Sequence, residues 1–225
     1  MQTYETKIIA HIRNDFKTKF GIPRQSGLVN NITSAIVFEP EFRDVSAFRD
    51  IEQFSHLWII WQFSETVRDD WSPTVRPPRL GGNKRVGVFA TRSPFRPNAI
   101  GLSSVKLEGI EQTDEGPVLF VSGADLMDGT PIFDIKPYLP FTDCHTDAVG
   151  GYADEKYNYA LKVEIEPALL NTIPEAKREG LLGILAQDPR PSYQDDESRV
   201  YGFEYAQYEV KFTVSDGTLT VIDIK

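Results

Sequence analysis

LSSVKLEGIE (Leu102–Glu111) and PVLFVSGA (Pro117–Ala124), separated only by QTDEG, decide how this sequence folds. Both runs are rich in branched and aromatic residues and are bounded by glycine or proline, which predicts two strands. Moving outward, the same pattern recurs in VGVFATR (Val86–Arg92), HLWIIWQF (His56–Phe63), SAIVFEP (Ser34–Pro40) and YETKIIAHIR (Tyr4–Arg13), and again at Pro131–Lys136 and Tyr159–Glu166. One short helix, FRDVSAFRDIEQF at Phe42–Phe54, interrupts the series. No regular strand and long-helix alternation precedes Glu166. The chain is therefore expected to be mainly β, a closed or nearly closed antiparallel barrel rather than a doubly wound sheet.

The character changes after Glu166. A helix is predicted from about Pro174 to Ala186, with Leu181, Leu182 and Leu185 on its apolar side. YGFEYAQYEVKFTV then alternates apolar with polar residues, and Asp216-Gly217 turns it back into TLTVIDI as a hairpin. Residues 1–145 are thus expected to form the barrel, and residues 146–225 a small C-terminal α+β satellite domain.

With 225 residues, 40% hydrophobic and 25% charged, the composition is that of a globular protein. No apolar run approaches the ~18–20 residues that span a bilayer. Glu5 and Lys7 fall where a signal peptide would be apolar, so the expected location is cytoplasmic. Cys144 is the single cysteine, which excludes an intrachain disulfide and a purely thiolate zinc site, and no metal is expected.

The formal charge of -9 conceals a basic segment. From Trp71 to Leu107 there are seven basic residues (Arg76, Arg79, Lys84, Arg85, Arg92, Arg96 and Lys106) and no acidic one, whereas from Asp143 onward sixteen acidic residues face eight basic ones. A concentrated anion-handling surface is one reading, and a basic loop that pairs with the acidic half is the other.

His11, His56 and His145 match no metal-ligand spacing, and His56 reads as a core-edge histidine beside an apolar strand. Cys144 and His145 are adjacent but have no implied third member. RPPRLGGNKR (Arg76–Arg85) reads equally as a glycine turn and as an anion contact, because arginine offers forked donors to phosphate. In ATRSPFRPNAIG (Ala90–Gly101), Pro94 and Pro97 restrict a loop that carries Arg92 and Arg96. In ADLMDGTPIFDIKPY (Ala124–Tyr138), Asp125 and Asp128 are candidate ligand acceptors. Asp128-Gly129 also reads as a turn, and Asp134 with Lys136 would share a face of an extended segment, which permits a structural ion pair as easily as chemistry.

KTKFGIPRQSGLV (residues 17–29), FSHLWIIWQF (54–63), RPPRLGGNKRVGVFATRSPFRPNAIGLS (76–103), DLMDGTPIFDIKPYLPF (125–141) and LAQDPRPSY (185–193) closely resemble the TsaA-like family of bacterial tRNA (adenine(37)-N6)-methyltransferases. The resemblance implies a single-sheet β-barrel that binds S-adenosylmethionine, forms homodimers and methylates N6 of threonylcarbamoyladenosine in the anticodon stem-loop of threonine tRNAs. It places Gln25, Ser26, Gly27 and Leu28 in the cofactor loop, with further contacts from Ser64, Glu65, Arg92, Leu102 and the segment Ser122, Gly123, Ala124 and Asp125. Ser26 stands where relatives have a second proline, Ser64-Glu65 where His-Gln is usual, and Asn14-Asp15 where Ser-Pro is usual. Arg76, Arg79, Lys84, Arg85 and Arg96 are then expected to hold the RNA backbone. The residues themselves leave two other readings open, a non-catalytic RNA-binding or regulatory barrel and a small-molecule methyltransferase. They identify no general base.

Overall fold

The computed structural model describes residues 2–67, 70–77, 84–156, 159–190 and 196–225. Among these, β1 (Ala10–Arg13), β2 (Thr33–Phe38), β3 (His56–Gln62), β6 (Ile100–Thr113), β7 (Gly116–Ser122) and β8 (Pro131–Pro137) form one antiparallel sheet, while β4 (Thr74–Val75) pairs only with β5 (Val86–Gly87). The six strands run in the order β1-β2-β7-β6-β3-β8, and β8 pairs back to β1 through Ala10↔Ile132, so the sheet closes into a barrel. The β1–β8 seam is short, two registered pairs against seven between β3 and β6.

Period-2 alternation explains what fills the barrel. Leu57, Ile59 and Trp61 of β3 are buried, as are Gly101, Ser103 and Val105 of β6, while Ile100 and Leu102 face outward and remain 44% and 56% exposed. Of the inward set, Leu57, Ile59, Trp61 and Val105 join Ile12, Ile36, Leu119, Val121, Leu126 and Ile132 in one apolar cluster.

Two expected elements are corrected. Over Phe42–Phe54 there is no α-helix but three 3-10 turns, Pro40–Phe42, Val45–Phe48 and Ile51–Gln53. Asp44 accepts from the backbone N–H of Ser46, and Asp50 adopts a left-handed φ of 67°, so each turn stops before a second can build on it. Phe48, Ile51 and Phe54 all pack on the barrel core at a three-residue spacing, the 3-10 repeat. VGVFATR likewise contributes only the two residues of β5, followed by a 3-10 turn at Val88–Ala90 that buries Val88 alone.

The C-terminal part is built from β9 (Lys162–Glu164), β10 (Tyr201–Tyr205), β11 (Tyr208–Ser215) and β12 (Thr218–Ile224), in sheet order β10-β11-β12-β9. Short α-helices at Pro140–Asp143 (α1) and Pro167–Leu170 (α2) precede α3 (Glu175–Ala186). In α3 the buried face is Leu181, Ile184 and Leu185, whereas Leu182 is half-buried. Asp216 and Gly217, at φ 48° and 72°, make the expected tight turn between β11 and β12. A second such turn at Ala206-Gln207, φ 50° and 74°, splits the run that reads as one alternating stretch.

Phe16, Val29 and Ile32, from the segment between β1 and β2, belong to the C-terminal apolar cluster with Ile173, Leu181 and Tyr205 rather than to the barrel interior. This packing fixes the loop that lies between them. No helix among the described residues is long and apolar enough to cross a membrane.

Candidate cofactor site and basic surface

Three segments meet at one mouth of the barrel: the loop through Arg24–Leu28, the end of β7 running into Ser122–Asp125, and the proline-framed loop through Arg92. Gly27 donates its backbone N–H to the carbonyl of Gly123 at 2.9 Å. Both glycines have φ 77°, and a Cβ on Gly123 would lie 2.9 Å from Asn30 Oδ1 and 3.4 Å from Gly27 Cα, so the contact requires a bare backbone. Arg92 Nη1 donates to Gln25 Oε1 at 2.6 Å, and Gln25 Nε2 donates to the carbonyl of Arg24. The carboxylate of Asp125 accepts from the backbone N–H of Ser26 and, at 2.5 Å, from the hydroxyl of Ser103.

Burial pushes the Asp125 carboxyl above the usual carboxylate range, while the hydrogen bonds from Ser103 and Ser26 and the positive charge of Arg92 oppose that rise. Ser103 is itself fixed by Trp61, whose indole Nε1–H donates to its Oγ at 2.9 Å. The indole lies against Gly101, where a Cβ would come within 2.2 Å of the ring. Sequence reasoning found Asp125 but missed Ser103 and Trp61.

Of the residues expected to hold the cofactor, the hydrogen bonds thus bring together Gln25, Ser26, Gly27, Arg92, Gly123 and Asp125. Leu28 is half-buried beside them in sequence, and Ala124 is buried in the barrel core. The hydroxyl of Ser122 is taken by Glu108 at 2.5 Å. Leu102 points to the face of β6 opposite Ser103. Ser64 and Glu65 form an exposed 3-10 turn after β3, where the carbonyl of Glu65 accepts from Lys19.

The mouth suits the group that the resemblance implies. Asp125 retains acceptor capacity for an ammonium or hydroxyl, Arg92 supplies a donor for a carboxylate, and the open space beside Gly27 admits a ligand close to the backbone. These are the polar ends that S-adenosylmethionine carries. An open groove of about 710 Å³ lies elsewhere, along β10 between Phe20, Tyr201 and Lys225, and none of the expected cofactor residues lines it.

The segment LAQDPR closes the back of the loop through Arg24–Leu28. Arg24 donates to the carbonyls of Asp188 and Arg190, both at 3.0 Å. The Asp188 side chain in turn accepts from Arg190 Nε at 2.8 Å and from the Tyr159 hydroxyl at 2.9 Å. Desolvation would raise the Asp188 carboxyl, but the bonds from Arg190 and Tyr159 outweigh it and hold the group below the usual range.

Arg76, Lys84 and Arg85 are exposed beside the β4–β5 pair, and Arg85 Nε donates to Thr74 Oγ1 at 2.8 Å. Arg79 lies outside the described residues. Arg96 is half-buried and donates to the carbonyl of Thr91 at 3.0 Å, so part of its guanidinium shapes the loop. The exposed rings of Trp71 and Phe89 stand 6.2 Å apart in the same basic stretch.

The other candidates are structural. Asp128 accepts from the backbone N–H of Asn14 and from Lys17, and Asp134 pairs with Lys136 at 2.7 Å. His56 is exposed rather than at the core edge and bonds Ser55 Oγ, while exposed Cys144 interacts with Tyr138.

Residues 11–144 match the family model described as the tRNA-methyltransferase O N-terminal domain. The chain belongs to the tRNA-methyltransferase O family. The TrmO C-terminal domain matches residues 158–225. A relative from Escherichia coli strain K12, named tRNA (adenine(37)-N6)-methyltransferase, is 39% identical over 233 residues, covering 100% of this chain and 99% of its own. A Pseudomonas aeruginosa relative, 42% identical over 207 residues and covering 89% of this chain and 88% of its own, is provisionally named an S-adenosylmethionine-dependent methyltransferase, RcsF. The crystal structure of TrmO from Pseudomonas aeruginosa superposes with a TM-score of 0.79 at 32% identity, covering 100% of both chains. This TrmO likeness extends through the barrel, the loop through Arg24–Leu28 and the C-terminal sheet.

Proposed function

We propose that the protein is an S-adenosylmethionine-dependent methyltransferase acting on N6 of the modified adenine at position 37 of tRNA, with threonylcarbamoyladenosine in the anticodon stem-loop of threonine tRNAs as its substrate. The observation that carries this reading is the convergence of Arg92, Gln25, Ser26 and Asp125 at a mouth flanked in sequence by exposed Arg76, Lys84 and Arg85. The names of the full-length relatives support it.

S-adenosylmethionine supplies an electrophilic methyl group on a sulfonium. The protein's share of the chemistry is then binding and alignment. Asp125 and Arg92 take the charged ends of the donor, and the backbone around Gly27 and Gly123 sets how deeply it sits. Arg76, Arg79, Lys84, Arg85 and Arg96 hold phosphates so that the base enters the mouth.

The division of labour follows the chain, with residues 1–145 as the cofactor-binding barrel and 146–225 as a satellite that braces its loop. A cytoplasmic homodimer accompanies this reading, because Ile100 and Leu102 expose apolar surface on the outer face of β6. Light scattering checks the dimer, and a concentration-independent monomer mass overturns it.

The function is tested by incubating the protein with labelled S-adenosylmethionine and threonine tRNA bearing or lacking the threonylcarbamoyl group, then digesting the RNA to nucleosides. Label on the modified adenosine is expected. Tight tRNA binding with no label transferred identifies an RNA-binding barrel, and label on a small molecule without RNA identifies the other class of enzyme.

A further inference from the structure

A chain of side-chain hydrogen bonds runs out of the apolar barrel interior toward the mouth. Trp61 Nε1–H donates to Ser103 Oγ at 2.9 Å, and Ser103 O–H donates to Asp125 Oδ1 at 2.5 Å. Trp61 and Ser103 are 6% and 1% exposed, so solvent cannot substitute for either partner. The chain is polar within an apolar barrel cluster, and every polar atom along it is satisfied. Its direction is fixed as well. The indole can only donate, which leaves the hydroxyl proton of Ser103 to point at the carboxylate.

We propose that Ser103, oriented by Trp61, is a positioning residue that keeps Asp125 ionised and aimed at the cationic end of the methyl donor. This inference rests on the cofactor reading above and adds to it the residues that set the carboxylate. Asp125 faces Ser103 on β6, Ser26 on the loop proposed to hold the cofactor, and Arg92 on the proline-framed loop, and Arg92 is the charged group among these. Burial works against ionisation, so the hydrogen bond from Ser103 carries more weight here than it would in water. Without the Trp61 donor, Ser103 is free to rotate toward backbone acceptors, and Asp125 loses part of that support.

The test reads Asp125 directly. Its carboxyl is titrated by carbon NMR in the cofactor-free protein, and S-adenosylmethionine affinity is measured by calorimetry from pH 5 to 8, for the wild type, Ser103→Ala and Trp61→Phe. In Ser103→Ala the Asp125 titration moves upward by about one pH unit, the equivalent of one hydrogen bond to a charged group. The pH below which cofactor affinity falls moves up with it. Trp61→Phe keeps a ring in place and gives a smaller shift in the same direction, which preserves the test if Ser103→Ala fails to fold. An unchanged Asp125 titration in both variants overturns the positioning role. Cofactor binding whose affinity ignores the Asp125 titration overturns the inference while leaving the methyltransferase reading intact, whereas absence of cofactor binding at every pH in the wild type overturns both.

Discussion

Arg24, in the loop expected to hold the cofactor, donates to the carbonyl oxygen of Asp188, 164 residues further along the chain, at 3.0 Å. Asp188 sits at a left-handed φ of 55°, and its side chain is bonded to Arg190 and Tyr159. Asp188→Ala leaves the enclosed Arg190 without its carboxylate and is expected to cost about 3 kcal/mol of stability. Urea unfolding measures the loss, and cofactor affinity should fall with it because the loop is released. Since the folded Asp188 carboxyl lies below its unfolded value, the pair stabilises fully above the ordinary aspartate range, and that contribution is lost as pH falls through the folded value. The stability gap between wild type and Asp188→Asn should therefore be constant near neutrality and narrow in acid.

Arg92→Ala removes the donor that faces the mouth and frees Gln25. Cofactor affinity should weaken by about tenfold or more, with thermal stability nearly unchanged because Arg92 is exposed. Calorimetric titration decides this, and wild-type affinity together with wild-type methyl transfer removes Arg92 from the site.

Arg76, Arg79, Lys84 and Arg85, changed singly to alanine, should each weaken tRNA binding and lower the slope of log affinity against log salt by roughly one or less, with cofactor affinity unaffected. A folded fourfold variant that keeps the original tRNA affinity and salt slope would move the RNA surface elsewhere.

Gly101→Ala places a methyl within 2.2 Å of the Trp61 indole. Displacing that ring breaks its bond to Ser103, so a loss of about 1–3 kcal/mol and a shift in tryptophan emission are expected. Unaltered emission at wild-type stability would show that the ring has room to move.

The strands were legible because an inward residue at every second position leaves a strong pattern, as Leu57, Ile59 and Trp61 show. Phe48, Ile51 and Phe54 misled because three-residue apolar spacing satisfies a helical template as well as a 3-10 one. Ala206-Gln207 gave no warning, since neither residue is a usual left-handed turn former. Within the site, Arg92 and Asp125 stood out by chemistry and by resemblance. Ser103 did not, because its partners are 42 and 22 residues away and a serine inside a strand carries no local signal of what it bonds. Asp128 drew attention as a carboxylate in the same run, but its bonds to Asn14 and Lys17 make it a fastening of the N-terminal segment.

Phe16, Val29 and Ile32 have their packing partners in residues that the ribosome joins much later, up to Ile224 at the far end of β12. A nascent chain that has completed the barrel strands therefore still lacks the apolar partners that anchor both ends of the loop through Arg24–Leu28. On the cofactor reading proposed above, the mouth is expected to be fully braced only once the last strand leaves the exit tunnel, so chains cut short during synthesis should bind the methyl donor poorly.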